Sequence, residues 1–179
     1  VTLSVVIGTY NRLTLLQKCL QALTEGIHVS CEIVVVDAGS TDGTRDYLKQ
    51  LQGVRLVEDE ALIGQAQSLN RVMLALQSEF VCWLSDDNVL VDRMLDTAVR
   101  ILKKNHKIGM VGLKVKDVTG HAVNRPYIGG TWISGVLNCN QGVLPTQLFQ
   151  QLGGFDEEFC DYGIDADLTT RVLLAGYQV

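Results

Sequence analysis

Two runs constrain this chain more than anything else in it. Ile33-Val-Val-Val36 and Phe80-Val-Cys-Trp-Leu84 are unbroken apolar stretches rich in β-branched and aromatic residues. A strand with one wet face alternates polar and apolar residues. A strand without alternation is buried on both faces, as in a parallel sheet covered by helices. Their surroundings agree. Leu3–Ile7 and Val54–Val57 read as further strands, and helical spacing joins Leu16, Cys19, Leu20 and Leu23, then Ala66, Leu69, Met73 and Leu76. With helices to about Leu51 and from about Asp92 to Lys104, strand and helix alternate four times in the first 105 residues. That pattern predicts an α/β fold with right-handed crossovers. Ligands of such sheets bind outside the carboxyl ends of the strands. The polar turns Gly8–Asn11, Asp37–Asp42 and Ser85–Asn88 are those ends, and they should meet at one crevice.

The remaining sequence is less regular. Gly109–Val115 reads as a strand, and Tyr127–Asn140 as mixed-direction strands and loops. Pro145 suits the first turn of a helix running to about Leu152. A last helix is expected over about Asp165 to Ala175, ended by Gly176, with Tyr177-Gln-Val179 beginning another strand. The break inside that pattern leads us to expect further chain beyond Val179. Asn11 is expected to cap the first helix. The expected organisation is a single domain, with 1–105 forming one half and 106–179 the other.

Bulk properties narrow the function. A length of 179 residues suits one domain with a sizeable core. A net charge of −5 with no Lys/Arg run argues against a nucleic-acid partner. No apolar stretch approaches the roughly 18 to 20 residues of a membrane span. Five cysteines without C-x-x-C spacing are expected to be reduced structural thiols. The three histidines fall in no metal-ligand spacing.

Asp86 and Asp87 follow an apolar strand directly. Adjacent carboxylates repel, and a divalent cation with a preference for oxygen ligands removes that repulsion. On these residues alone, a metal site and an ordinary polar turn remain open.

Six segments then occur in one order: Val5-Val-Ile-Gly-Thr-Tyr-Asn-Arg12, Ile33-Val-Val-Val-Asp-Ala-Gly-Ser-Thr-Asp-Gly-Thr44, Gly64 to Asn70, Leu84-Ser-Asp-Asp87, Gly153-Gly-Phe-Asp-Glu157, and Asp165-Ala-Asp-Leu168 with Arg171. Together they resemble the family 2 glycosyltransferases of the GT-A fold, over the whole chain. The resemblance implies a Rossmann-like, mostly parallel sheet with a nucleotide-sugar-binding half (1–105) and a less regular acceptor-side half (106–179). It implies an inverting hexosyltransferase-like enzyme that uses a nucleotide-diphosphate sugar and a divalent metal, Mg2+ or Mn2+. Acceptors in the family include glycan, lipid-linked and protein-linked groups. A cytoplasmic location follows, with peripheral attachment to the inner membrane face through other segments left open.

Residue roles are carried over position by position. Thr9 and Tyr10 match the family's first nucleotide-contacting turn, and Asn11 beside them is counted with the donor-binding residues, as are Asp37 and Asp86. The resemblance makes Asp87 the metal ligand, with Asp86 beside it on the ribose or a metal-bound water. Asp165 becomes the general base, with helix capping as its alternative role. The chain departs from the family at Ala38, Ser85 and Ile164, each standing where an acid is usual. A catalytically weak or inactive sugar-nucleotide- or glycan-binding module of the same fold is therefore the rival reading. A Rossmann dehydrogenase would need G-x-G-x-x-G after the first strand, which is absent. A sugar-phosphate nucleotidyltransferase would need an early Gly-rich basic loop, which Gly8–Arg12 does not supply.

Overall fold

The computed structural model describes every residue except 122, 126, 128, 130, 134, 135, 160 and 161, and describes 131–133, 136 and 138 by their backbone. The first half alternates as expected: β1 (Leu3–Thr9), α1 (Leu13–Gly26), β2 (Cys31–Asp37), α2 (Thr44–Gln50), β3 (Val54–Glu58), α3 (Gln65–Met73), β4 (Phe80–Ser85) and α4 (Met94–Lys104). The second half holds β5 (Val111–Gly112), β6 (Thr131–Ile133), β7 (Val136–Asn138), β8 (Gly142–Pro145), α5 (Thr146–Gln151) and α6 (Ile164–Leu174).

Six strands form one sheet in the order β3-β2-β1-β4-β8-β5, and β6 and β7 form a separate antiparallel pair. β1 lies parallel to both β2 and β4, with Val5 opposite Ile33 and Cys82. The unalternating runs are explained by burial on both sides. Ile33 and Val35 belong to one core cluster with Leu16, Leu20 and Leu23 of α1 and Leu95, Val99 and Leu102 of α4. Val34 and Val36 belong to the core on the other face, with Leu69, Val72 and Met73 of α3, Phe149 of α5 and Leu168 and Val172 of α6. Each such side chain stabilises the fold by about 1.5–3 kcal/mol.

The later chain corrects several expectations. Only Val111–Gly112 of the anticipated 109–115 strand joins the sheet, opposite Val143 and Gly142 of β8. Val115 makes an isolated bridge to Gly129 instead. β8 runs antiparallel to β4, with Pro145 opposite Phe80, so Pro145 closes a strand and precedes α5. Its ψ of 129° is extended, which keeps it out of the helix. β8 can lie against β4 because Gly142 has no side chain: a Cβ there would come within 2.8 Å of the Trp83 ring. Gly176 ends α6 at φ +88°, and Gln178 then bridges Ile108 in parallel, as a starting strand would.

Three helix starts also differ. Asp92 and Arg93 have φ of 55° and 52°, so α4 begins only at Met94. Asn11, at φ 52°, does not cap α1; Arg12 holds that position, and the Leu13 N–H is taken by Asp42 Oδ2 at 3.0 Å from the neighbouring turn. Gly163 precedes α6 at φ 97°, which puts Asp165 inside the first turn and not at the cap. Among the described residues no helix is long and apolar enough to cross a membrane. Cys19, Cys31, Cys82 and Cys139 are free thiols, as expected, while Cys160 lies outside the described residues.

Candidate active site

The strand order reverses between β1 and β4: the chain steps outward from β1 to β3 and returns to the other side of β1. Such a reversal opens a crevice at the carboxyl ends of the two strands. Thr9 ends β1, and Asp86 follows the end of β4. The Thr9 hydroxyl donates to Asp86 Oδ2 at 2.7 Å and closes the base of this crevice. The cleft above it has a volume of about 460 Å³, and Gly8, Thr9, Tyr10, Arg12, Ala38, Leu62, Ser68, Asp86 and Tyr162 are among its lining residues.

The two acids are unequal. The Asp86 side chain is 4% exposed and that of Asp87 48%. Burial pushes the Asp86 carboxyl above the usual carboxylate range, against the opposing hydrogen bonds from Thr9 and Arg12. Arg12 Nη1 donates to Asp86 Oδ1 at 3.1 Å and to Asp87 Oδ2 at 3.2 Å. Asp86 in turn raises the guanidinium above its own ordinary value, first through that hydrogen bond. Two hard oxygens thus converge on one cationic point. Among the described residues no group of three His, Cys, Asp or Glu could hold a metal. The donor set fits a Mg2+- or Mn2+-like ion that takes two carboxylates from the protein and its other ligands from phosphate and water.

The other strand-end turns are pinned to this one. Asn11 Oδ1 accepts the Thr41 N–H at 2.7 Å, and the Asn11 N–H donates to Ser40 Oγ at 2.9 Å. Asn11 therefore joins two rim turns. Asp37 is fully buried below the second turn, accepting the N–H groups of Gly39 and Ser40 at 3.1 and 2.9 Å and Arg45 Nε at 2.6 Å. Burial alone would raise its carboxyl, but these bonds from Ser40, Arg45 and Gly39 hold it below the usual range. Among the described residues its Oδ2 has no hydrogen-bond partner. Behind the wall, buried Asp59 accepts the Ser68 hydroxyl at 2.7 Å and pairs with Arg71.

Of the residues expected at the site, the hydrogen-bond network joins Thr9, Asp86 and Asp87. Tyr10 is half-exposed on the cleft wall. Asp165 is partly buried in the first turn of α6, outside the lining of the cleft; Tyr162, which does line it, is 93% exposed. Asp167 and Arg171 form an i,i+4 ion pair, with Arg171 Nη1 also donating to the Leu152 carbonyl, which is a structural role. Sequence reasoning assigns no role to Arg12, Asp59 or Gln141. The available signal for Arg12 was its place one residue past the first rim turn. Gln141 offered none: it accepts the Ser85 N–H at 3.1 Å from a loop 56 positions away.

The family described as Glycosyl transferase family 2 matches residues 4–143. This chain belongs to glycosyltransferase family 2. Similar proteins include an uncharacterised glycosyltransferase of Nostoc, 29% identical over 113 residues, and glycosyltransferase GlyG of Streptococcus pneumoniae, 25% identical over 114. These alignments cover 61% and 62% of this chain but only 35% and 38% of the relatives. Among solved structures, the Pyrobaculum calidifontis mannosyltransferase PcManGT, in complex with GDP-Man and Mn2+, superposes with a TM-score of 0.77 at 25% identity, covering 98% of this chain and 53% of that one. S. aureus TarS in complex with UDP-GlcNAc gives 0.76 at 20% identity, covering 99% and 53%. The mostly parallel sheet of this family member has the GT-A fold of these neighbours.

Proposed function

We propose that this family 2 glycosyltransferase moves a sugar from a nucleotide-diphosphate donor to an acceptor hydroxyl with inversion. The observation that carries the reading is the convergence of Thr9, Arg12, Asp86 and Asp87 at the switch-point cleft. The structural neighbour bound to GDP-Man and Mn2+ supports it from outside. Residues 1–105 would bind the donor and 106–179 would shape the acceptor side.

In this reading Tyr10 offers its ring to the base, Thr9, Asn11 and Asp37 contribute to donor binding, and Asp86 would face the ribose or a metal-bound water. Asp87 with Asp86 would hold Mg2+ or Mn2+, which when bound supplies positive charge against the leaving diphosphate. Asp165 takes the proton of the acceptor hydroxyl. As that oxygen bonds to the anomeric carbon, the bond from carbon to the diphosphate oxygen breaks on the opposite face. One displacement inverts the centre. The acceptor would be a glycan, lipid-linked or protein-linked group.

Ala38 in the cleft, with Ser85 and Ile164, favours a second reading: a module that binds a nucleotide sugar without transferring it. Calorimetry with UDP-GlcNAc, GDP-mannose and other donors, with and without Mn2+, paired with a transfer assay, separates the two. Metal-dependent binding with turnover is expected. Binding without turnover would sink the enzyme reading.

A further inference from the structure

Arg12 occupies the place where the two acids converge, and among the described residues its guanidinium bonds to both of them. Its backbone is fixed, because it stands at the start of α1 and its carbonyl accepts the N–H groups of Leu15 and Leu16. Its side chain is 51% exposed and lines the cleft, so the guanidinium can swing without breaking core packing. A divalent ion on Asp86 Oδ1 and Asp87 Oδ2 would need the same oxygens and would repel the guanidinium beside it.

We propose that Arg12 is a positioning residue that closes the Asp86–Asp87 pair to metal until a diphosphate arrives, so that metal and donor enter together. The inference rests on reading the cleft as a nucleotide-sugar site. An ion entering alone must expel Arg12 from both carboxylates into water. When a diphosphate is present, the displaced guanidinium has a new anion, one that its planar donors fit well. Metal and nucleotide then favour each other, and by linkage each raises the affinity of the other by the same factor. Before the donor binds, the same contact relieves repulsion between the two acids and holds their oxygens converged.

The test is Mn2+ binding, read from the paramagnetic resonance signal of the free ion, in the wild-type protein and in Arg12→Gln, Arg12→Met and Arg12→Lys. Each is titrated alone and with UDP or GDP. Arg12→Gln and Arg12→Met should bind Mn2+ alone about tenfold more tightly than wild type, with the enhancement by nucleotide reduced by a similar factor. Arg12→Lys, which keeps the charge, should resemble wild type; a change that merely loosened the fold would not sort the variants by charge. Two neutral variants keep the test decisive if one fails to fold. Equal or weaker Mn2+ binding by the neutral variants, with wild-type enhancement by nucleotide, overturns the role of Arg12 alone. Absence of Mn2+ binding in every form, with either nucleotide, overturns both this inference and the metal-dependent donor reading.

Discussion

Asn70 and Phe155, 85 positions apart, hold each other by two reciprocal hydrogen bonds. Asn70 Oδ1 accepts the Phe155 N–H at 2.8 Å, and its Nδ2 donates to the Phe155 carbonyl, also at 2.8 Å. A third bond runs to Glu157 Oε1 at 3.0 Å. One side chain on α3 thus locks the Gly153–Glu157 turn of the later half onto the earlier half. Phe155 anchors the lock by edge-to-face packing on Trp83 and Phe149, with centroids at 5.5 and 5.2 Å.

Replacing Asn70 by Leu removes both bonds and leaves two buried backbone groups of Phe155 unpaired. Each unsatisfied group costs about 1–3 kcal/mol. Asn70→Leu should therefore lower the unfolding free energy by about 2–6 kcal/mol in urea titration. A loss below about half a kcal/mol, the scale of an ordinary surface change, would show that the lock does not stabilise the fold.

Neighbouring glycines should respond differently. A Cβ on Gly154 would lie 2.4 Å from Asn70 Oδ1, at a φ of +78°. One on Gly153 would meet nothing within 4 Å among the described residues, at a φ of +81°. Gly153→Ala carries only the backbone cost, about 1 kcal/mol. Gly154→Ala adds a clash with the lock and should cost clearly more, on the order of 3 kcal/mol. Thermal melting of the two variants side by side is the check, and equal losses would contradict it.

Asp37 should make the fold acid-sensitive. Its folded carboxyl is held below the usual range, with burial more than offset by Ser40, Arg45 and Gly39. A lowered folded value means that the stabilisation is full above the unfolded value of about 3.9 and is lost as pH falls through the folded value. As pH falls below about 4, stability should fall less steeply in Asp37→Asn than in wild type, although the variant is weaker at neutral pH. Urea midpoints measured across that window test the difference in slope.

The proposed chemistry separates two acids. Asp87→Ala should abolish Mn2+-dependent donor binding seen by calorimetry. Asp165→Asn should leave donor binding intact and slow transfer by about 100- to 10,000-fold, the range of a lost general base. If Asp165→Asn bound donor and transferred sugar at the wild-type rate, the base would have to be sought elsewhere in the acceptor half.

The fold of the first half was legible because burial on both faces leaves a local mark. Ile33–Val36 and Phe80–Leu84 could not be half-wet strands, and the turns after them had to lie at the same edge of the sheet. The second half was less legible for an equally physical reason. β8 is four residues ending in proline, too short for a periodicity, and it pairs because Gly142 admits the Trp83 ring. Of the anticipated strand over 109–115 only Val111 and Gly112 pair, opposite Val143 and Gly142.

At the site, residue type and order alone marked Asp86 and Asp87, since paired acids at a strand end carry their own electrostatic problem, while Thr9 was marked by the family resemblance. Only the tertiary structure decided how that problem is resolved. Arg12, 74 and 75 positions away in sequence, bridges both acids. Asp42, 29 positions from Leu13, accepts the N–H at the start of α1, a bond Asn11 does not make. Hydrophobic pattern is written along the chain, so it determined the sheet and its covering helices. Charge pairing and capping depend on which loops the sheet brings together, so they were settled only when β1, β2 and β4 lay side by side.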